Sequence, residues 1–169
     1  MNDCIVTFRN GDASGNTHAC RNEGQQFRIE VVNLGTQRFP HHSDSTIVAR
    51  IADDPAKFKL VAEMGGRIAG YGELETWPDR PRMRHGAEND MVATHPDFRG
   101  FGIGAALLGE MIDLADRWLQ VTRLQLFVWE GNTRAMALYE RFGFEKVGEF
   151  DFPVGNHRDL EFLMRLKLE

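Results

Sequence analysis

Three groups of residues in this 169-residue chain have types and spacing that could do chemistry. The first is Arg99-Gly100-Phe101-Gly102-Ile103-Gly104, a glycine turn between a β-prone stretch and a helical one. The first turn of a helix has unpaired N–H groups and the positive end of the dipole, and glycines let that backbone approach a phosphate closely. The ligand expected here is a phosphate or pyrophosphate; the competing reading is a turn whose glycines serve only close helix packing. The second group is Glu88 and Asp90, which two-residue spacing puts on one face of a strand with Val92 and Thr94. Two carboxylates there are either candidate general bases or edge charges in solvent. The third is the loop Trp77–Arg84, whose Arg80, Arg82 and Arg84 suit a carboxylate held by a bidentate pair, or else simply a solvated loop.

Other chemistries fit less well. A nucleoside triphosphate loop needs a Lys that this turn lacks. A dinucleotide turn needs a third glycine where Leu107 stands; Glu130 does mimic the ribose-binding acid, but too little chain follows for a second nucleotide-binding half. His41, His42 and His85 form no i, i+4 pair or Cys/His cluster, so no metal site is expected. Cys4 and Cys20 lack motif neighbours and are too few for a disulfide scaffold.

A formal net charge of -5 argues against a nucleic-acid partner but not against a small anion held locally. The cationic residues are biased, 16 Arg to 4 Lys, a bias that composition alone can produce. Hydrophobic content of 42% describes an ordinary globule. No apolar run is long enough to span a membrane and the N-terminus does not read as a signal peptide, so a cytoplasmic protein is expected.

The elements that must position these groups follow from periodicity and punctuation. Strands are expected at Ile5–Arg9, Phe58–Met64, Arg67–Thr76, His85–Thr94, Leu124–Trp129, Phe144–Phe150 and Leu160–Leu166. Gly65-Gly66 reads as a hairpin turn. A helix capped by Ser43 or Asp44 runs to Ala52. A second follows the glycine turn to Trp118, with Ile103, Leu107, Met111, Leu114 and Trp118 as its buried stripe. A third spans Asn132–Phe142 and ends at Gly143. Residues 10 to 25 show no clear pattern. The order implies one α/β (α+β) domain over 1–169, with a mixed sheet of about six to seven strands flanked by helices.

The segment T-H-P-D-F-R-G-F-G-I-G-A-A-L-L resembles the acyl-CoA motif [QR]-x-x-G-x-[GA] of the GNAT N-acetyltransferases, through Arg99, Gly102 and Gly104. Downstream, Asn132-x-x-Ala135-x-x-Leu138-Tyr139-x-x-Phe142-Gly143-Phe144 is similar to the family's second motif. The resemblance is tight over about 85–150 and weak over 1–26, and it looks closest to a bacterial branch that acetylates free amino acids, akin to the phosphinothricin acetyltransferases. It implies a mostly antiparallel sheet that splays between its fourth and fifth strands, here His85–Thr94 and Leu124–Trp129. Backbone of Val92, Ala93 and Thr94 would pair with the pantetheine of acetyl-CoA, and one N–H there would polarise the acetyl carbonyl. Backbone of Arg99, Gly100, Phe101, Gly102, Ile103 and Gly104 would hold the pyrophosphate. Asn132 would touch the cofactor or cap its helix. Tyr139 would protonate the leaving thiolate, and Glu88, with Asp90 and Glu73 behind it, would take the ammonium proton. Position 101, often basic in the family, is Phe here.

The expected activity is acetyl transfer from acetyl-CoA, with no metal, to a primary amine of a free amino acid or analogue, by direct attack in a ternary complex. Peptide N-terminal acetylation, a non-catalytic acyl-CoA-binding module and a small nucleotide-binding oxidoreductase compete with it. Homodimers are common in the family.

Overall fold

The structure is a computed structural model that describes residues 6–9, 18–22, 25–32, 56–154 and 157–169. Cys4, His41-His42 and the helix expected from Ser43 to Ala52 lie outside the described residues. The chain divides into two compact units, Met1–Leu74 with Met91–Glu110, and Glu75–Asp90 with Met111–Glu169.

In the first unit, β3 (Gln25–Val32) pairs in parallel with β1 (Val6–Arg9) and antiparallel with β2 (His18–Asn22) and β4 (Lys57–Met64). β4 neighbours β5 (Arg67–Thr76), and Gly65 (φ 59°) and Gly66 (φ 74°) close the turn between them. Two successive positive φ values give the tight turn whose twist matches a hairpin. Strand β6 (Gly86–Thr94) ends in this unit, followed by a 3₁₀ turn at Pro96–Phe98 and helix α1 (Ile103–Asp113). The second unit carries β7 (Arg123–Trp129), α2 (Thr133–Arg141), β8 (Glu145–Val154) and β9 (His157–Lys167). Its strands follow the order β6-β7-β9-β8, with β6–β7 parallel and the other two pairs antiparallel. The mixed, mostly antiparallel α/β fold expected from the sequence is what forms.

The differences have physical reasons. Strand β2 was not read because polar residues such as His18, Arg21 and Asn22 hide the period that marks a strand; β3 was passed over although Phe27, Ile29 and Val31 alternate with Arg28 and Glu30 as a strand requires. The helix after the glycine turn is α-helical only to Asp113; Leu114–Trp118 form a π-helical turn closed by Leu119 N–H on the Leu114 carbonyl at 3.0 Å. The wider turn shifts the phase of the stripe. Ile103, Leu107, Met111 and Leu114 are buried, whereas Trp118 is 60% exposed.

The approach of α1 to the sheet rests on one residue. A Cβ on Gly70 of β5 would lie 2.6 Å from Ile103 Cγ2, 2.9 Å from Leu107 Cδ1 and 2.9 Å from the Ala93 carbonyl oxygen. The helix thus sits directly on bare backbone, and one of the three obstacles is itself backbone and cannot turn aside. Beside this contact, the His95 N–H donates to the Ala69 carbonyl at 2.8 Å. Gly70→Ala is expected to lower stability by about 1–3 kcal/mol through overpacking, measured by urea unfolding, whereas Gly100→Ala, whose Cβ meets nothing within 4 Å, is expected to show only the cost of its positive φ.

Candidate active site

The glycine turn is built in the first unit. Gly100 (φ 87°) and Gly102 (φ 79°) take left-handed backbone that L side chains rarely adopt. The Gly102 carbonyl accepts the Ala106 N–H at 3.0 Å, which starts α1. Gly104 has a different reason: a Cβ there would stand 3.4 Å from Thr94 Oγ1 at the end of β6. Two glycines therefore shape the turn and the third admits the strand end. No acidic side chain occupies the first turn of α1, so the positive end of its dipole has no carboxylate of its own.

The segment leading into the turn is pinned. The Asp97 N–H donates to His95 Nδ1 at 3.2 Å, and Arg67 pairs with Asp97 at 2.9 Å. The hydrogen bond from Arg67 holds the exposed Asp97 carboxyl below its usual range. The same guanidinium lies 4.9 Å from the ring of Phe98, which is buried. Arg99 is exposed and Phe101 half-buried.

Also in this unit, Glu73 is wholly buried, with Tyr71 Oη donating to one carboxylate oxygen at 2.5 Å and Lys57 Nζ to the other at 2.9 Å. Both carboxylate oxygens are thus engaged by side chains of the same unit.

In the second unit, β6 and β7 pair only from Gly86–Glu88 against Arg123–Gln125, although β6 runs on to Thr94 and β7 to Trp129. The ladder thus stops where the family resemblance places a splay. Glu88 sits at its last rung and accepts a hydrogen bond from Gln125 Nε2 at 2.9 Å. Gly86, Ala87 and Asn89 are buried, but from Asp90 to Thr94 every residue is half-buried. Glu88, Asp90, Val92 and Thr94, expected on one face, are all half-buried; Ala87 and Asn89 on the other face are buried, whereas Met91 and Ala93 are half-buried as well. Arg80, Arg82, Arg84, Arg134 and Arg141 are all exposed.

The second motif resolves into the two ends of α2. Asn132 Oδ1 caps the helix by accepting the Ala135 N–H at 3.2 Å. At the other end, Gly143 N–H donates to the Glu140 carbonyl at 3.0 Å and Phe144 N–H to the Tyr139 carbonyl at 3.1 Å, with Gly143 at φ 87°. This is a Schellman motif, and its usual apolar clasp is the contact of the Tyr139 and Phe144 rings, centroids 5.9 Å apart. The spacing Y-x-x-x-G-F is thus a device that holds Tyr139 by both backbone and ring. Burial raises the Tyr139 phenol above its usual value near 10, so it stays a proton donor at neutral pH.

Several surroundings were missed by sequence reasoning. Trp129 lays its ring across Gly131, where a Cβ would be 2.3 Å from the indole. Phe127 and Phe150 meet edge-on at 5.5 Å on an exposed face. Gly131 directly before the Asn132 cap was the available signal for the first.

With this geometry in view, the comparisons are direct. The model of the acetyltransferase (GNAT) family matches residues 27–144. The chain belongs to the GNAT acetyltransferase family. It is 32% identical over 139 residues to the L-amino acid N-acetyltransferase AaaT of Escherichia coli K12, covering 80% of this chain and 85% of that protein. The structure of yncA from Salmonella typhimurium, which holds its cofactor acetyl-CoA, is similar at 24% identity with a TM-score of 0.61, covering 67% of this chain and 65% of that one. The ribosomal-protein-S18-alanine N-acetyltransferase of Escherichia coli matches at 24% identity and TM-score 0.64, covering 76% and 78%. Those two likenesses concern the fold. Among the described residues, no helix is long and apolar enough to cross a membrane.

The Tyr139 shift has a sign that can be measured. The folded state keeps the phenol proton where the unfolded chain has released it, so stability is full below about pH 10 and falls as pH rises beyond it. Melting temperatures from pH 8 to 11 are expected to fall less steeply in Tyr139→Phe than in the unaltered protein.

Proposed function

We propose that this chain is a single-domain N-acetyltransferase that moves the acetyl group of acetyl-CoA to the primary amine of a free amino acid or amino-acid-like molecule. The observation that carries the reading is Tyr139: a phenol fixed by the end of α2 and kept protonated by burial. A binding module has no need of such a donor. The likeness to an L-amino acid N-acetyltransferase over most of both chains supports the acceptor class.

In this reading the backbone of Arg99–Gly104 holds the pyrophosphate, with the positive φ of Gly100 and Gly102 baring its N–H groups. Val92, Ala93 and Thr94 offer strand backbone to the pantetheine amides, and one N–H polarises the acetyl carbonyl. Glu88, through its oxygen or a water, takes the ammonium proton, and Asp90 is the next carboxylate along the strand. The freed amine attacks the carbonyl carbon, the carbon–sulfur bond breaks, Tyr139 gives its proton to the departing thiolate, and the second proton shed by the attacking nitrogen restores the phenol. Asn132 holds the start of α2 and is in reach of cofactor atoms through its backbone. The reaction needs no metal. The reading places the protein in the cytoplasm, acting on small molecules rather than nucleic acid or membranes, and is compatible with a homodimer.

Thiol release from acetyl-CoA, measured across amino acids, polyamines, aminoglycosides and short peptides, is expected to be fastest with free amino acids; turnover confined to peptides overturns the acceptor class. Tyr139→Phe is expected to lower kcat by roughly 10- to 100-fold, at or below the low end of general-acid effects, with the KM for acetyl-CoA within about twofold. Glu88→Gln is expected to remove the acidic limb of the pH–rate profile, and an unchanged limb assigns the base elsewhere.

A further inference from the structure

Asn89 stands on β6 immediately after the last rung that pairs this strand with β7. It is 95% removed from solvent, at 5% exposure, yet its Oδ1 has no hydrogen-bond partner among the described residues. Its burial matches that of Ala87, two residues earlier, and contrasts with half-buried Glu88 between them. The carboxamide therefore lies on the face of Ala87 and of its rung partner Leu124, both wholly buried. An amide oxygen left unpaired among such neighbours is a standing cost, and native proteins retain few of them without a use. A Leu or Met of similar size would fill the place more favourably if packing were the only demand. The group is an acceptor, so what it lacks is a donor, and its position is the point where the backbone of β6 passes from pairing with β7 to running on without it.

We infer that the Asn89 side chain is a further acyl-CoA contact, its Oδ1 accepting the N–H of an amide in the pantetheine arm. The inference rests on the acyl-CoA reading of Val92, Ala93 and Thr94, which follow on the same strand. It adds a side-chain contact to what is otherwise backbone recognition. It also specifies the part of the cosubstrate that is read: an amide-bearing chain rather than the nucleotide. Backbone pairing favours any extended chain with amides at the right spacing, whereas a single buried acceptor fixes which amide sits at the end of the ladder.

The test uses Asn89→Leu and Asn89→Ala with two ligands, acetyl-CoA and adenosine 3′,5′-bisphosphate, which keeps the nucleotide but has no amides. Dissociation constants are read by calorimetry and folding by melting temperature. For Asn89→Leu the expected result is a melting temperature equal to or above that of the unaltered protein, acetyl-CoA bound roughly 3- to 10-fold more weakly, and unchanged bisphosphate binding. If the Leu variant fails to fold, the same contrast between ligands is read in Asn89→Ala. Equal acetyl-CoA affinity in the variants overturns the inference and leaves a buried water as the partner. Equal loss for both ligands also overturns it, since that marks a general distortion. An unaltered protein that binds neither ligand sinks the acyl-CoA reading itself, and this inference with it.

Discussion

The approach of α1 to bare backbone at Gly70 is the contact on which the rest of the first unit depends. A helix that sits a methyl group farther out would move its first turn away from β6, and the glycine turn with it. The close contact of Gly104 with Thr94 makes the same demand from the helix side. These two glycines belong to different segments and neither takes a positive φ. Both are needed for distance, not for conformation. The turn between them, at Gly100 and Gly102, then has its shape from backbone dihedrals alone. In a protein with a net charge of -5, the positive end of the α1 dipole is a local exception, and these contacts set its position.

The second unit uses the same economy of means for a side chain. Tyr139 is the third residue from the end of its helix, and the residues that stop the helix also hold its ring. Gly143 turns the chain left-handed, the two crossed hydrogen bonds close the end, and Phe144 packs against the phenol. The features that read as a family signature are thus two helix caps, Asn132 at one end and Gly143 at the other, with the Tyr139 ring clasped to the second.

What was legible in the sequence was what repeats or punctuates. The strands with clear alternation and the turns marked by Gly65-Gly66 and Gly143 were placed within a few residues. The α1 stripe was read correctly through Leu114 and failed at Trp118, because a π-helical turn adds one residue to a count that assumes 3.6. Strand β2 carries polar residues that strand patterning does not mark, whereas the alternation of Phe27, Ile29 and Val31 in β3 was there to be read. Gly70 and Asn89 were not singled out for a different reason. A glycine inside a strand and an asparagine between two acids look like weak strand formers, and only the neighbours brought by the fold, Ile103 on one and buried apolar surface around the other, give them meaning. Likewise the sequence shows Glu73 as a carboxylate but not Lys57 and Tyr71, which the fold brings to its two oxygens.

The indole of Trp129 has a further consequence. Its ring rests on the Gly131 backbone, one residue before the cap of α2, while about half of it faces water at 52% exposure. The emission of an indole so placed depends on the peptide dipoles beneath it and on the solvent above it. Any ligand that tightens or displaces the start of α2 changes both at once. Of the three tryptophans in the chain, this one lies next to a motif residue and is held by a glycine that cannot be exchanged without moving the ring. The protein thus has a native fluorophore at the helix start, and a change in its surroundings can be followed by light with no label attached.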